Sequence, residues 1–161
     1  MTEHHTSTIS DQEKAQILQE RLKMGFNMVP FNQAIGLKIT EMGAEAIRAE
    51  FAMQPQLIGN VFKQILHGGV IATALDTVGG AMAMSGAYVA LKGTAKEQRL
   101  ARINRLATID MRIDYLKAGK GELFTATATL LRVGKQICVT RMELHNEKQE
   151  LIAAGTATYM Y

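Results

Sequence analysis

The feature that most constrains the fold of this chain is the apolar run between Lys63 and Lys92, in which Asp76 is the only formally charged side chain. The run is rich in glycine and alanine, and it contains the motif His67-Gly68-Gly69 near its start. Burying an unpaired carboxylate costs free energy, so a chain that keeps one in such a run is expected to use it. Asp76 is therefore the first candidate for a functional residue.

If the run forms a helix that begins at Gly68 or Gly69, the helix has two different faces. Residues three, four and seven apart share a face, so Gly69, Thr73, Asp76 and Gly80 line one stripe of small and polar side chains. The opposite side is apolar, and it consists of Val70, Ile71, Ala74, Leu75, Val78 and Met82. This pattern predicts a central helix that packs its apolar side against a sheet.

The beginning of this helix is suited to a developing negative charge. Two glycines in the first turn leave backbone N–H groups unpaired and accessible, and the helix dipole adds partial positive charge there. An oxyanion at Gly68 and Gly69, with the Asp76 carboxylate two turns further on, meets the needs of acyl transfer to water. The structural alternative is a buried helix in which Asp76 only accepts hydrogen bonds from a neighbour.

Three segments together resemble the PaaI-type branch of the hotdog-fold acyl-CoA thioesterases. They are Asn60 with His67-Gly68-Gly69 and Asp76, the segment from Thr108 to Leu116, and the closing segment from Gly155 to Tyr159. The resemblance covers roughly residues 30–161. It implies an α+β hotdog fold, in which a curved antiparallel sheet wraps around one central helix. It also implies dimers as the minimal unit, with the active site at the dimer interface.

The resemblance and the chemistry of the side chains suggest roles at the site. Asp76 is the expected nucleophile or the base that activates water, and the sequence does not separate these roles. Gly68 is expected to polarise the thioester carbonyl through its N–H, with support from Gly69. Asn60 orients water or the carbonyl, or has only a turn role. His67 is either a general base, given its ordinary pKa near neutrality, or a structural residue.

Thr108 is placed by the resemblance at a position where the family often has Ser or Thr reaching the site from the partner subunit. The alternative is an ordinary strand threonine. Thr73, on the same helix stripe as Asp76, is expected to line the substrate site with Gly69. Cys138 lies between Ile137 and Val139 and is expected in the core.

The charge of the chain suits a phosphate-bearing ligand. The net charge is +3 with a pI near 9.1, too small an excess to argue for nucleic acid, but suitable for coenzyme A. Candidates for binding its phosphates lie near predicted strand turns, with the Arg99 to Arg105 segment as the other option. They are Lys117, Lys120, Arg132 and Lys135.

The chain is expected to form one domain, 1–161, in which residues 1–30 are an N-terminal tail and helix. Ser10 and Glu13 form a capping-box pattern that opens this helix, which should run to about Met28. A hairpin follows, and after the central helix and a polar segment come four strand-length runs, which indicate an antiparallel sheet. These runs are Ala107 to Leu116, Glu122 to Val133, Gln136 to Asn146 and Leu151 to Tyr161.

The sequence favours a cytoplasmic protein. A single cysteine cannot form an internal disulfide, and residues 1–10 are polar, without the apolar stretch of an export signal. The segment Val70 to Leu91 is long enough to span a membrane, but its small residues and central Asp76 argue against insertion. We expect no membrane or nucleic-acid partner.

These observations predict an acyl-CoA thioesterase that uses no metal and no redox cofactor, coenzyme A being part of the substrate. The few aromatic residues, 6% of the chain, favour a medium- to long-chain fatty acyl group. We expect a homodimer, assembling as a homotetramer. The alternatives are a non-catalytic acyl-CoA-binding hotdog module, a thioesterase acting on aryl-CoA, and a hotdog dehydratase or hydratase.

Overall fold

The structure is a computed structural model that describes residues 10–161. Residues 1–9 lie outside the described residues. The expectation of no export signal and the start of the predicted domain 1–161 both fall on them. Helix α1 (Asp11–Asn27) begins with the predicted capping box. The Glu13 N–H donates to Ser10 Oγ at 3.2 Å, and the Ser10 N–H donates to Glu13 Oε2 at 2.7 Å. Pro30 then starts a short helix, α2 (Pro30–Ala34).

Six strands form one antiparallel sheet with the order β1-β2-β6-β7-β8-β5. Every neighbouring pair in that order is antiparallel, as the sequence predicts. The strands are β1 (Lys38–Met42), β2 (Ala46–Ala52), β5 (Ala107–Tyr115), β6 (Leu123–Val133), β7 (Ile137–Asn146) and β8 (Leu151–Met160). A separate small hairpin of β3 (Ile58–Asn60) and β4 (Ile65–Leu66) precedes the central helix.

The central helix is α3 (Gly68–Ala90), and it packs against β2, β5, β6, β7 and β8. Its predicted apolar side is confirmed, since Ile71, Ala74, Leu75, Val78 and Met82 are all buried. Inward-facing side chains alternate along β2, β6 and β7, which is why these strands can cover the helix. The sheet wrapped around one helix is the expected hotdog fold.

The length and composition of α3 would allow it to cross a membrane. In the structure, however, 67% of its most apolar window is buried inside the domain. The apolar character of this segment is therefore explained by its place in the core.

The polar segment after α3 contains helix α4 (Lys96–Ile103). The Arg99 guanidinium donates to the backbone carbonyl of Tyr88 and lies over the Tyr88 ring. The Arg102 guanidinium donates to the carbonyl of Lys135 at 2.5 Å and lies over the Tyr161 ring. These two cations fasten α4 to the rest of the domain.

Cys138 lies in the core, as expected. Its thiol donates to the carbonyl of Ala83 at 3.5 Å, and burial raises the pKa of the thiol to about 11. A thiol with that pKa remains protonated near neutral pH and is a poor nucleophile.

Candidate active site

Asp76 lies on the half-buried face of α3, where the helix borders the beginning of β5 and the end of β8. Its Oδ1 accepts two hydrogen bonds, one from the Thr108 hydroxyl at 3.0 Å and one from the Tyr159 hydroxyl at 3.1 Å. Within residues 10–161, Oδ2 has no hydrogen-bond partner and no cation pairs with the carboxylate. One carboxylate oxygen is thus held in place, while the other has no partner among these residues, and Asp76 lines a groove.

Thr108 contacts the candidate catalytic carboxylate, since its hydroxyl donates to Asp76 of the same chain. Its expected part in a site shared with a partner subunit stays a prediction. The physical reason for the contact is the topology, because β5 is the sheet edge next to α3 and Thr108 stands at its start, beside the helix. Thr108 is therefore not an ordinary surface threonine, since its side chain touches the candidate catalytic carboxylate.

Tyr159 is a contact of Asp76 that the sequence analysis did not assign to the site. It lies near the end of β8, is 1% exposed, and donates both to Asp76 Oδ1 and to the Asp76 backbone carbonyl, the latter at 3.2 Å. The glycine pair Gly79-Gly80 in the middle of α3 is the sequence feature that could have indicated this contact between Tyr159 and Asp76. A Cβ on Gly79 would lie only 2.3 Å from the Tyr159 hydroxyl, so the helix needs glycine there.

His67 acts as the N-cap of α3. Its Nδ1 accepts the N–H of Gly69 at 2.9 Å. This hydrogen bond uses that nitrogen to cap the first turn of the helix. This geometry favours the structural role over the general base. The Gly69 N–H is engaged by His67 in this structure, and its supporting role at the site stays a prediction.

The N–H of Gly68 has no hydrogen-bond partner among the described residues. Gly68 is the first residue of α3, where the helix offers no acceptor for it. Tyr115 borders this position, since its hydroxyl donates to the Gly68 carbonyl at 3.1 Å. The group expected to polarise a carbonyl is therefore available at the positive end of the helix dipole.

Asn60 has the turn role that the sequence analysis left open. Its Oδ1 accepts the N–H groups of Phe62 and Lys63 at 3.1 and 3.0 Å, which closes the β3–β4 hairpin. Its amide nitrogen has no partner within residues 10–161, so a second role in orienting water stays a prediction.

The predicted site residues fall into two grooves along the front of α3. Asp76 and Thr108 line one groove, and His67 and Gly69 line the other, while Thr73 lines both. Gly68 and Asp76 are eight positions apart on α3, which corresponds to about 12 Å along the helix axis. One carbonyl group cannot contact both positions in the same chain.

The candidate phosphate-binding residues do not form one cluster, because they lie at opposite ends of β6, which is roughly 35 Å long. Lys117 and Lys120 precede the strand, beside the end at which α3 begins, and Lys117 pairs with Glu150 at 3.2 Å. Arg132 and Lys135 lie at the other end. There, Lys135 lines a cavity with Arg102 and Arg105, and no acidic side chain lines it.

The fold and this helix-borne site define a thioesterase-type hotdog domain, and comparison with known proteins agrees. Residues 63–153 match the thioesterase superfamily, and the chain belongs to that family. It is 44% identical over 132 residues to the medium/long-chain acyl-CoA thioesterase YigI of Escherichia coli, which covers 82% of this chain and 85% of the relative. The Salmonella typhimurium protein of the same name is 43% identical over 132 residues, with the same coverage.

A solved structure is also similar. A Shewanella oneidensis protein, described as related to the thioesterase superfamily, superposes with a TM-score of 0.86 at 43% sequence identity. The similarity covers 91% of this chain and 97% of that protein. The similarity includes both the central helix and the sheet around it.

Proposed function

We propose that this protein is an acyl-CoA thioesterase that hydrolyses medium- to long-chain fatty acyl-CoA to the free acid and coenzyme A. The observation that carries the proposal is the state of Asp76, which lines a groove and has one oxygen fixed by two hydroxyl groups, while the other has no partner among residues 10–161. The name of the relative at 44% identity supports the same reaction and the same substrate class. The protein would act in the cytoplasm.

In the proposed reaction, the free oxygen of Asp76 either attacks the thioester carbonyl or takes a proton from the attacking water. The carbonyl oxygen gains negative charge and accepts the N–H of Gly68, supported by the dipole of α3. Collapse of the tetrahedral intermediate breaks the carbon–sulfur bond, and coenzyme A leaves as the thiol. The reaction needs no metal and no redox cofactor.

The separation of Gly68 and Asp76 supports the proposal of a site shared by two subunits. Strand β5 is hydrogen-bonded on one side only, and its residues are almost all exposed, so its free edge can pair with a second copy. Thr108 stands at the start of β5 beside Asp76, and Tyr115 stands at its end beside Gly68. Antiparallel two-fold pairing of β5 places these two ends together, so Asp76 approaches Gly68 of the partner subunit.

Subunit mixing tests this shared site. We expect the variants Asp76→Asn and Gly68→Pro, which remove the carboxylate and the N–H respectively, to be nearly inactive alone. In a mixed dimer, one of the two sites has both groups intact, so random reassociation should restore about one quarter of wild-type activity. The measurement is thiol release after unfolding and refolding the two variants together. No recovery in verified mixed dimers would contradict a shared site and indicate sites within single chains.

The groove next to Asp76 is suited to an apolar acyl chain. Its walls include Phe26, Val29 and Phe31 from the α1–α2 region, together with Met84 and Leu106. Two other methionines that could have lined an acyl tunnel, Met82 and Met142, are fully buried in the core instead. Apolar walls that lead away from the carboxylate support a fatty acyl substrate.

A thiol-release assay tests the proposed function. Acyl-CoAs from short to long chain, with aryl-CoA examples, should show hydrolysis that is fastest for medium or long fatty acyl groups. Fastest hydrolysis of aryl-CoA would favour the aryl alternative. Tight binding of acyl-CoA without any thiol release would favour the non-catalytic binding module and would overturn the proposal.

The phosphates of coenzyme A are proposed to bind at the cavity of Arg102, Arg105 and Lys135. We expect Arg105→Ala and Lys135→Ala each to raise KM roughly five- to tenfold with kcat nearly unchanged, because the phosphates bind alike in the ground and transition states. Lys117→Ala is the control at the opposite end of β6, where Glu150 already neutralises the cation. A raised KM in the control alone would indicate that the phosphates bind at the Lys117 end of β6.

A further inference from the structure

We infer that Tyr159 is a positioning residue of the hydrolytic site, which holds the Asp76 carboxylate so that Oδ2 alone points at the substrate. This inference rests on the proposed role of Asp76. It concerns how the fold orients that carboxylate.

The first observation is the double contact of one hydroxyl. Tyr159 Oη lies 3.1 Å from Asp76 Oδ1 and 3.2 Å from the Asp76 backbone oxygen. It therefore fixes the side chain relative to its own main chain. Thr108 approaches the same Oδ1 from β5, so two donors on different strands restrict rotation of the carboxylate.

The second observation is that Tyr159 itself is held. Its side chain is almost fully buried, and its hydroxyl lies where β8 and β7 meet α3, with the Thr140 side chain nearby. Burial, followed by the neighbouring Asp76 charge, raises the pKa of the Tyr159 hydroxyl well above its ordinary value. The hydroxyl therefore keeps its proton and acts as a permanent donor to Asp76.

The third observation is the shape of α3 at this point. A Cβ at Gly79 would lie 2.3 Å from the Tyr159 hydroxyl and 3.1 Å from the Thr140 hydroxyl. Glycine in a helix interior is less favourable than alanine. The chain accepts this cost where it leaves room for the Tyr159 hydroxyl beside Asp76.

Because no cation in residues 10–161 pairs with Asp76, the effect of the Tyr159 hydroxyl on the carboxylate can be measured. Tyr159 is the titratable side chain that contacts the carboxylate among residues 10–161, and no lysine, arginine or histidine there pairs with it. The two hydroxyl donors therefore set the orientation of the carboxylate. Removing the Tyr159 hydroxyl should leave it less well oriented toward the substrate.

The test is Tyr159→Phe, which keeps the ring and removes only the hydroxyl. We expect kcat for acyl-CoA hydrolysis to fall about tenfold with KM nearly unchanged, because the reacting oxygen is less well oriented. A loss of stability alone would not separate kcat from KM in this way. Unchanged kcat, whatever the melting temperature, would overturn the inference.

Two further variants make the result decisive. Asn146→Ala removes several hydrogen bonds of a buried side chain remote from Asp76, so it shows what a loss of stability alone does to kcat. If Tyr159→Phe does not fold, Gly79→Ala, whose methyl group would displace the Tyr159 hydroxyl, should lower kcat with KM nearly unchanged, and a wild-type kcat would overturn the inference. An active Asp76→Asn variant would instead refute the proposed role of Asp76. An inactive Asp76→Asn with a normal Tyr159→Phe would refute this inference alone.

Discussion

Asp76→Asn should lower thioester hydrolysis by roughly 10² to 10⁴, the range for the loss of a positioned acid–base group. The amide keeps the shape of the side chain, and its oxygen can still accept from Thr108 and Tyr159. What it loses is the basic and nucleophilic oxygen of a carboxylate that lines the groove. Acyl-CoA should still bind, because the apolar walls of the groove are unchanged.

The stability of Asp76→Asn should hold or rise, since the change removes a half-buried charge that no cation in the described residues neutralises. Turnover and thermal melting should be measured on the same purified protein. Glu45→Gln, at an exposed acid between β1 and β2, is the control for a carboxylate-to-amide change away from the site. Near-normal turnover with a clearly lower melting temperature would show that Asp76 is structural.

Gly68→Pro should reduce kcat by about 10² to 10³, as expected when one oxyanion donor is lost. Proline has no N–H, and position 68 is the first residue of α3, where proline is readily accepted. The backbone of His67, with φ −66° and ψ 136°, is already the conformation favoured before proline. The substitution therefore removes one hydrogen-bond donor without disturbing the helix.

The matched control for this variant is Gly68→Ala, which restores the N–H and adds only a methyl group. That methyl group would lie 3.4 Å from the Tyr115 ring, an ordinary contact. We expect Gly68→Ala to keep most of the activity. A folded Gly68→Pro with wild-type kcat would place the oxyanion donor elsewhere in the site.

The local elements of this protein are determined by short-range patterns in the sequence. The Ser10 and Glu13 capping box begins α1 where the pattern predicts it, because both donors and acceptors lie within one turn. The helix after His67 and the four following strands can likewise be read from period and turn residues, to within one or two positions. Asp76 stands out for a similar reason, since a lone charge in an apolar run is visible without a fold.

The contacts between elements distant in sequence required the tertiary structure. Tyr159 lies 83 residues from Asp76 along the chain, and only the pairing of β8 with β5 and β7 beside α3 brings its hydroxyl to that carboxylate. The same pairing puts the Thr108 hydroxyl on Asp76 of its own chain.

The division of the site also follows from three-dimensional geometry. The spacing of His67-Gly68-Gly69 and Asp76 identifies the chemical groups, but the rise of a helix holds Gly68 and Asp76 about 12 Å apart. The sequence by itself thus determined which groups are available for hydrolysis. The tertiary structure decided which of them meet, because hydrogen bonds and carbonyl contacts depend on distances of about 3 Å that sequence spacing does not set.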